Sequence, residues 1–150
     1  MFSIVICELA GVVGSIFTIP ALPEWYAALQ KPSFAPSGTV IGPVWIILYF
    51  MMGVALYLVL KKYPDGKIVK TGLLLFALQL VLNVFWSVVF FGLKSPFYAV
   101  LEIISLWFAI LLTIYMFFKI DRRAAYLLVP YIIWVSFAAV LNYQIWMLNA

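Results

Sequence analysis

Five apolar runs, each about 20 residues long, determine what this 150-residue chain can fold into. A helix of that length, rising about 1.5 Å per residue, crosses the roughly 30 Å hydrocarbon layer of a bilayer. The composition agrees, because 68% of the residues are hydrophobic, 9% are charged and the mean hydropathy is +1.20. The sequence therefore predicts an all-α integral membrane protein, a five-transmembrane-helix bundle in one domain covering residues 1–150.

Prolines, glycines and charged residues set the predicted bounds of the spans. Pro20 and Pro23 are expected to end the first helix, because proline lacks the amide donor that a continuing helix needs. Residues 23–42 are predicted to form a long, proline-rich extramembrane loop, a candidate lid over a binding site. A tight turn is expected at Pro64-Asp65-Gly66. The predicted spans cover about residues 2–21, 43–60, 70–91, 96–118 and 124–147.

Lys and Arg are divided unequally between the two sides of the membrane. One side receives only Lys31 and Lys94, and the other receives the remaining seven, which are Lys61, Lys62, Lys67, Lys70, Lys119, Arg122 and Arg123. The positive-inside rule then predicts a multi-pass protein of the cell membrane with its N-terminus and both basic loops in the cytoplasm. Because these residues lie in short segments between apolar runs, the net charge of +4 does not indicate a nucleic-acid partner.

Cysteine, histidine and acidic residues are scarce. With Cys7 as the single cysteine and no histidine, no intramolecular disulfide and no standard zinc, haem-ligand or iron–sulfur constellation can form. No metal site and no required cofactor are therefore predicted. Glu8 and Glu102 are the acids within the spans. Glu8 is close enough to the cytoplasmic end to reach water, whereas Glu102 lies about two turns into the fourth helix without an evident partner.

Two amides and a tryptophan share one face of the third span. Gln79 and Asn83 are one turn apart, and Trp86 follows seven residues after Gln79. Burying an unpartnered amide costs several kcal/mol, so both amides need partners. Two interpretations stay open: the amides bind neighbouring helices, or they form a polar patch that faces a ligand.

The fifth span carries a related arrangement, with Trp134, Ala138 and Leu141 at positions i, i+4 and i+7. The small Ala138 leaves a notch between two larger side chains. Trp45 and Trp134 lie well inside their spans, where an indole needs an acceptor or a planar partner. Since aromatic residues form 19% of the chain, packing is the alternative explanation for each tryptophan.

Aromatic, proline and amide residues form short motifs along nearly the whole chain. In order and spacing these motifs closely resemble the TspO/MBR family, the translocator protein or peripheral-type benzodiazepine receptor family, and indicate a bacterial member. The motifs are Trp25-Tyr26-Ala27-Ala28-Leu29-Gln30-Lys31-Pro32-Ser33-Phe34-Ala35-Pro36, Gly42-Pro43-Val44-Trp45 with Leu48-Tyr49, Gln79-x-x-x-Asn83-x-x-Trp86 with Phe90-Phe91-Gly92, Pro130-Tyr131-x-x-Trp134, and Leu141-Asn142-Tyr143-x-x-Trp146.

The resemblance implies a five-helix bundle, often a homodimer, that binds porphyrins and, in animal members, cholesterol and synthetic benzodiazepine-site drugs. Its pocket lies between the helices and opens toward the long first loop. Some members promote light-dependent breakdown of protoporphyrin, for which Trp45 and Trp134 are the matched candidate catalytic residues. Carried over position by position, the ligand-binding residues are Ser15, Thr18, Tyr26, Pro36, Ile41, Val44, Trp45, Leu48, Gln79, Asn83, Trp86, Trp134, Ala138 and Leu141.

The expected function is therefore a membrane receptor or sensor that holds a protoporphyrin-like tetrapyrrole or a hydrophobic drug-like ligand between its helices. Two alternatives stay open. One is an enzyme that uses light and oxygen to degrade the bound porphyrin, and the other is a transporter of tetrapyrroles or other apolar small molecules. The chain shows no internal repeat of the kind found in many alternating-access transporters, which disfavours transport.

The chain departs from the family pattern at three places. Phe34 stands where members usually have Trp, Pro36-Ser37 where they have two prolines, and Met147 where an Arg follows the last Trp. That Arg ends the family's cholesterol-recognition segment, so the resemblance does not imply sterol binding for this chain.

Overall fold

The computed structural model describes residues 2–62 and 66–150, and almost all of them are helical. Five stretches of the described chain are long and apolar enough to cross a membrane, which confirms the prediction of an all-α bundle of five spans. They are Phe2–Tyr26, Gly38–Leu60, Lys67–Gly92, Pro96–Ile120 and Arg122–Asn149. The turn predicted at Pro64-Asp65-Gly66 lies mostly outside the described residues, because Pro64 and Asp65 are not among them.

Six α-helices make up these spans. Two π-helical turns, Leu22–Tyr26 and Val88–Gly92, prolong the first and third helices at the same end of the bundle. The fifth span consists of two helices joined at Leu128. The helices are α1 (Phe2–Ala21), α2 (Gly38–Leu60), α3 (Lys67–Ser87), α4 (Pro96–Ile120), α5 (Arg122–Leu127) and α6 (Val129–Asn149).

The first connection is shorter than predicted. α1 ends at Ala21, as predicted, but a π-helical turn that was not predicted prolongs it to Tyr26. α1 runs through Pro20, and Pro23 lies in the π-helical turn that follows. The wider π turn gives a proline ring more room against the preceding turn than an α-helix does. α2 begins at Gly38 rather than near Pro43, so the non-helical part of the connection between the first and second spans is limited to residues 29–37.

The helices form a ring in which each one packs against the next. α1 packs on α2 and α3, α3 on α4, α4 on α5 and α6, and α5 on α2. The main apolar core fills the end of the bundle where α5 lies, and Phe76 of α3 stacks on Phe117 of α4 there, with 5.6 Å between ring centroids. Toward the end that carries residues 29–37, the space inside the ring is not filled by side chains but contains a cavity.

The two basic connections lie side by side at one end of the bundle. Lys62 Nζ, after α2, is 4.0 Å from Asp121 Oδ2, between α4 and α5. Asp121 also caps α5, because its Oδ1 accepts a hydrogen bond from the Arg123 amide at 3.0 Å. Hydrogen bonds from the Arg123 guanidinium, supported by the positive charge of Lys62, hold the pKa of Asp121 below its ordinary value. The connections that carry the seven basic residues of one side therefore lie at one end of the bundle. Which side of the membrane that end faces stays a prediction.

Candidate ligand-binding cavity

A cavity of about 440 Å³ lies between α1, α2, α3 and α6. This volume is within the range of pockets that hold small molecules and cofactors. On the first span, the lining extends from Glu8 to Tyr26, a separation of 18 residues or about 27 Å along the helix. Pro36 of the connecting segment lines the outer end. The cavity is therefore long and narrow, and it runs parallel to the helices.

The cavity exists because α1 and α2 are close at one end and apart at the other. A Cβ atom on Gly53 of α2 would collide with the backbone of Ile4, and a Cβ on Gly11 of α1 would lie 2.7 Å from the ring of Tyr49. Only glycine allows this approach. Near the beginning of α2, a Cβ on Gly42 would meet nothing within 4 Å. The two helices thus form a wedge, and the cavity fills its open end.

The open end of the wedge leaves the cavity accessible from the side. Ile19 of α1 and Ile46 of α2 both line the cavity, yet their exposed fractions are 64% and 62%. In a bilayer, this opening between α1 and α2 faces lipid chains. An apolar ligand dissolved in the membrane can therefore reach the cavity without passing through water.

A chain of hydrogen bonds separates the cavity from the apolar core. Tyr49 of α2 donates to Asn83 Oδ1, Asn83 Nδ2 donates to the Tyr131 hydroxyl at 2.7 Å, and Tyr131 donates to Gln79 Oε1 at 2.8 Å. Gln79 Nε2 lies 3.9 Å from the sulfur of Met52. Both amides of the third span thus bind neighbouring helices, which is the first of the two interpretations made from the sequence. Their partners link α2, α3 and α6, since Tyr131 belongs to α6.

A second polar connection fixes the outer part of the cavity wall. Trp86 Nε1 of α3 donates to Asn142 Oδ1 of α6 at 3.1 Å, and Asn142 Nδ2 donates to the carbonyl of Pro96 at 3.0 Å. The Trp86 ring also stacks on Phe90, with centroids 5.1 Å apart. These contacts hold three helices together and fix the Trp86 ring in the cavity wall.

Most of the residues predicted to bind ligand do line the cavity. Tyr26 contributes from the π-helical turn after α1, and Pro36 from the connecting segment. The predicted residues found in the lining are Ser15, Thr18, Tyr26, Pro36, Ile41, Trp45, Asn83, Trp86, Trp134, Ala138 and Leu141. Whether any of them binds a ligand stays a prediction.

Three predicted residues, Val44, Leu48 and Gln79, do not line the cavity. Leu48 and Gln79 are almost fully buried, with exposed fractions of 4% and 1%, and Val44 packs against the core. Gln79 is one helical turn closer to the core than Asn83. At that depth the helices have already converged, so its amide contacts Tyr131 and Met52 instead of open space.

Two tryptophans bring free indole groups to the cavity. Trp45 lies 5.6 Å from Tyr49 between ring centroids, and Trp134 lies 5.6 Å from Phe137. The indole N–H bonds found among the described residues belong to Trp86 and Trp107. The N–H groups of Trp45 and Trp134 thus have no acceptor within the described chain, and both rings line the cavity.

The segment over the outer end is attached at several points. Asn149 at the end of α6 makes two hydrogen bonds with the backbone of Gln30, and Phe34 lies 6.1 Å from Phe137 between ring centroids. Lys31 Nζ donates to the carbonyls of Tyr26 at 2.7 Å and Leu29 at 3.0 Å, which satisfies the end of the first helix. The segment therefore covers the cavity as an ordered lid.

Several lining residues were not predicted from the sequence. Tyr49 and Phe137 are four and three residues after the predicted Trp45 and Trp134, so helical spacing could have identified them. Glu8 also lines the cavity, whereas its sequence interpretation was an acid reaching for water. The signal was its position inside an apolar span.

A family model described as the TspO/MBR family matches residues 3–147, which include nearly all of the five spans. The chain belongs to the TspO/MBR family.

Relatives with related names support this assignment. The chain is 44% identical to the tryptophan-rich protein TspO of Chlorobaculum tepidum over 144 residues, 96% of this chain and 91% of the relative. It is 38% identical to the human translocator protein, over 89% of this chain and 80% of the relative, and 36% identical to the tryptophan-rich sensory protein of Cereibacter sphaeroides, over 84% and 77%. These names give the TspO/MBR family a sensing or transporting role in membranes.

The departures from the TspO/MBR pattern have structural consequences here. Phe34 keeps an aromatic ring against Phe137, and Ser37 precedes α2 with its hydroxyl 2.8 Å from that of Thr39. Met147 is half exposed near the end of α6. None of the three substituted positions lines the cavity, so the changes leave its wall intact.

Proposed function

We propose that this TspO/MBR family member is a membrane receptor or sensor that binds protoporphyrin-like tetrapyrroles in the cavity between α1, α2, α3 and α6. The observation that carries the proposal is the pair of indoles, Trp45 and Trp134, that line one apolar cavity with unoccupied N–H groups. A planar macrocycle offers a face for stacking and carbonyl or carboxylate acceptors for donors. A largely apolar site with few polar groups is the usual design for such ligands.

The cavity shape supports a flat ligand. The wedge between α1 and α2 is narrow at Gly11 and Tyr49 and widens toward Gly42, and its long axis follows the helices. A flat, elongated molecule can enter from the lipid through this opening edge first. The lid of residues 29–37 then covers its outer edge.

Quenching of tryptophan fluorescence by protoporphyrin IX tests the proposal in purified protein reconstituted into nanodiscs. The double variant Trp45→Phe with Trp134→Phe is expected to bind about tenfold more weakly, since each stacking contact contributes about 0.5–1.5 kcal/mol. A matched control changes two tryptophans outside the lining, Trp107→Phe with Trp146→Phe, and should bind like the unmodified protein. Equal affinity in both double variants would reject the stacking role, and no binding to the unmodified protein would reject the porphyrin proposal.

Hydrophobic drug-like ligands of the benzodiazepine-site type are proposed to use the same cavity. A competition experiment tests this, because two ligands that share one cavity must displace each other. We expect such a drug to reverse protoporphyrin quenching completely at saturation. Simultaneous binding of both would place the drug elsewhere.

A second candidate function is light- and oxygen-dependent degradation of the bound porphyrin. It is favoured by the same two indoles, which lie where a macrocycle would sit and can donate electrons to its excited state. Oxygen from solution is the oxidant in this scheme. The test is to illuminate the protein with excess protoporphyrin. Several turnovers to one defined product would support degradation, provided that Trp134→Phe abolishes the turnover and still binds the porphyrin. Bleaching of one equivalent without such a product would reject it.

Oligomeric state and transport are addressed by separate measurements. We propose the homodimer that the resemblance implies, and a monomer mass for the protein in native membrane particles would reject it.

Transport is the alternative to the receptor proposal. Accumulation of protoporphyrin inside reconstituted vesicles would support transport, and no flux would reject it.

A further inference from the structure

Glu8 is a carboxylate in the wall of the cavity that the proposed function does not use. Among the described residues that line the cavity, it is the one with a formal charge. Gly11 and Tyr49, where α1 and α2 converge, also belong to the lining, so Glu8 lies at the narrow, inner end. Tyr26 is 18 residues later on the same span and marks the outer end.

Other polar groups of the cavity lining already have partners. Ser15 donates to the carbonyl of Val12 at 2.6 Å, Thr18 donates to that of Gly14 at 3.1 Å, and Tyr49 donates to Asn83. Among the hydrogen bonds and ion pairs of the described residues, the side chain of Glu8 has none. An acceptor without a partner therefore faces the inner end of the cavity.

The cavity has the opposite character further from Glu8. Free donors lie there: the indole N–H groups of Trp45 and Trp134, one helical turn outward of Tyr49 and Tyr131, and the hydroxyl of Tyr26 at the outer end. Lys31 places its amine 4.7 Å from the centre of the Tyr26 ring, which adds a positive charge near this end. The cavity thus has an acidic hydrogen-bond acceptor at its inner end, and hydrogen-bond donors and a cation toward its outer end.

We infer that Glu8 determines the orientation and charge preference of the ligand. Its carboxylate receives a cationic or hydrogen-bond-donating group at the inner end, and carboxylates of the ligand lie toward Trp45, Tyr26 and the lid. In the opposite orientation, a carboxylate of the ligand would lie beside the carboxylate of Glu8. These like charges would repel each other strongly in a low-dielectric site. This inference rests on the proposed function, because it assigns a polarity to that same site.

The experiment compares three forms of one macrocycle in nanodiscs of zwitterionic lipid: protoporphyrin IX, its neutral dimethyl ester, and a bis-amide carrying tertiary amines. The variants are Glu8→Gln and Glu8→Lys, with Glu24→Gln as the control, an exposed acid on the same span that does not line the cavity. Affinities come from tryptophan quenching, and thermal unfolding verifies that each variant folds.

We expect Glu8→Gln to weaken the cationic form about tenfold relative to the neutral ester, a loss of about 1.4 kcal/mol. Glu8→Lys should reverse the preference in favour of the dicarboxylate, a result that partial unfolding cannot produce. Unchanged ratios among the three ligands in both variants would overturn the inference while leaving porphyrin binding in place. Failure of all three ligands to bind the unmodified protein would instead overturn the proposed function.

Discussion

Asn149 holds the backbone of Gln30 with both ends of its amide. Its Oδ1 accepts from the Gln30 N–H at 3.0 Å, and its Nδ2 donates to the Gln30 carbonyl at 2.9 Å, across 119 positions of sequence. Gln30 is the second residue of the lid, and Asn149 is the last residue of α6. One amide therefore joins the lid to the helix on the opposite wall of the cavity.

Replacing Asn149 with Ala is expected to accelerate ligand release. Two exposed hydrogen bonds contribute about 1 kcal/mol in total, so the dissociation rate of protoporphyrin should rise about fivefold with little change in association. Stopped-flow displacement measures both rates. Leu148→Ala, an exposed neighbour, is the control. An unchanged dissociation rate in Asn149→Ala would show that the lid does not retain the ligand.

Tyr131→Phe is expected to destabilise the bundle by about 1–3 kcal/mol, because it leaves buried groups of Asn83 and Gln79 unpartnered. Cys7 is the single thiol and is fully buried, so a thiol-reactive dye reports thermal unfolding. Tyr143→Phe on the same helix removes an exposed hydroxyl and should leave the unfolding temperature unchanged. Equal unfolding temperatures for the two variants would contradict a structural role for this hydrogen-bond chain.

Gly53→Ala is expected to separate α1 from α2, because the added methyl group meets the backbone of Ile4, which cannot rotate away. Overpacking of this kind costs about 1–3 kcal/mol. Gly42→Ala on the same helix meets nothing within 4 Å and gains helix propensity, so it should be neutral or stabilising. The unfolding temperatures, again read from Cys7, should differ in that direction. A Gly53→Ala protein as stable as Gly42→Ala would mean that the helices are not in contact there.

The lowered pKa of Asp121 predicts that the stability of the folded protein depends on pH. Because the Arg123 guanidinium lowers the pKa of Asp121, the carboxylate stabilises the folded state fully above its ordinary pKa of about 4, and this contribution is lost as the pH falls through the lower, folded-state value. Asp121→Asn keeps a capping side chain but removes the charge, so it should cost less than about 1 kcal/mol at pH 7. Tryptophan fluorescence during thermal unfolding measures the difference, which should shrink below about pH 4. A difference in unfolding temperature that grows in acid would have the wrong sign for this mechanism.

Orientation can be tested with single cysteines in a Cys7→Ala background. Lys94→Cys, between the third and fourth spans, should react with a membrane-impermeant maleimide in intact cells. Lys61→Cys, at the basic end, should react only after permeabilisation. The reverse pattern would place the N-terminus outside.

The number and order of the spans could be predicted, because every span must be long and apolar enough to cross the same hydrocarbon layer and the charged residues must lie outside it. The continuation of the first helix beyond Ala21 could not be predicted, because the π-helical turn that contains Pro23 has no clear sequence signal. On the third span, Gln79 and Asn83 share a face in sequence, yet only Asn83 lines the cavity. The difference depends on the level at which α1 and α2 diverge. Gly53 of α2 and Gly11 of α1 determine that level, because each of them lies against the other helix.

The two π-helical turns lie against each other, since Tyr26 of the first contacts Phe90 and Phe91 of the second, with ring centroids 6.3 and 5.8 Å apart. A π-helical turn holds one residue more than the α-helical turn it replaces. Local unwinding absorbs that extra residue, so the chain after the turn keeps nearly the direction it would have after an α-helical turn. Deleting one residue from Leu22–Tyr26 would therefore restore a regular helix and leave the lid nearly in place, whereas the same deletion inside α1 would rotate all that follows by about 100°. The chain should therefore tolerate the loss of one residue better at its two widened turns than within its α-helices.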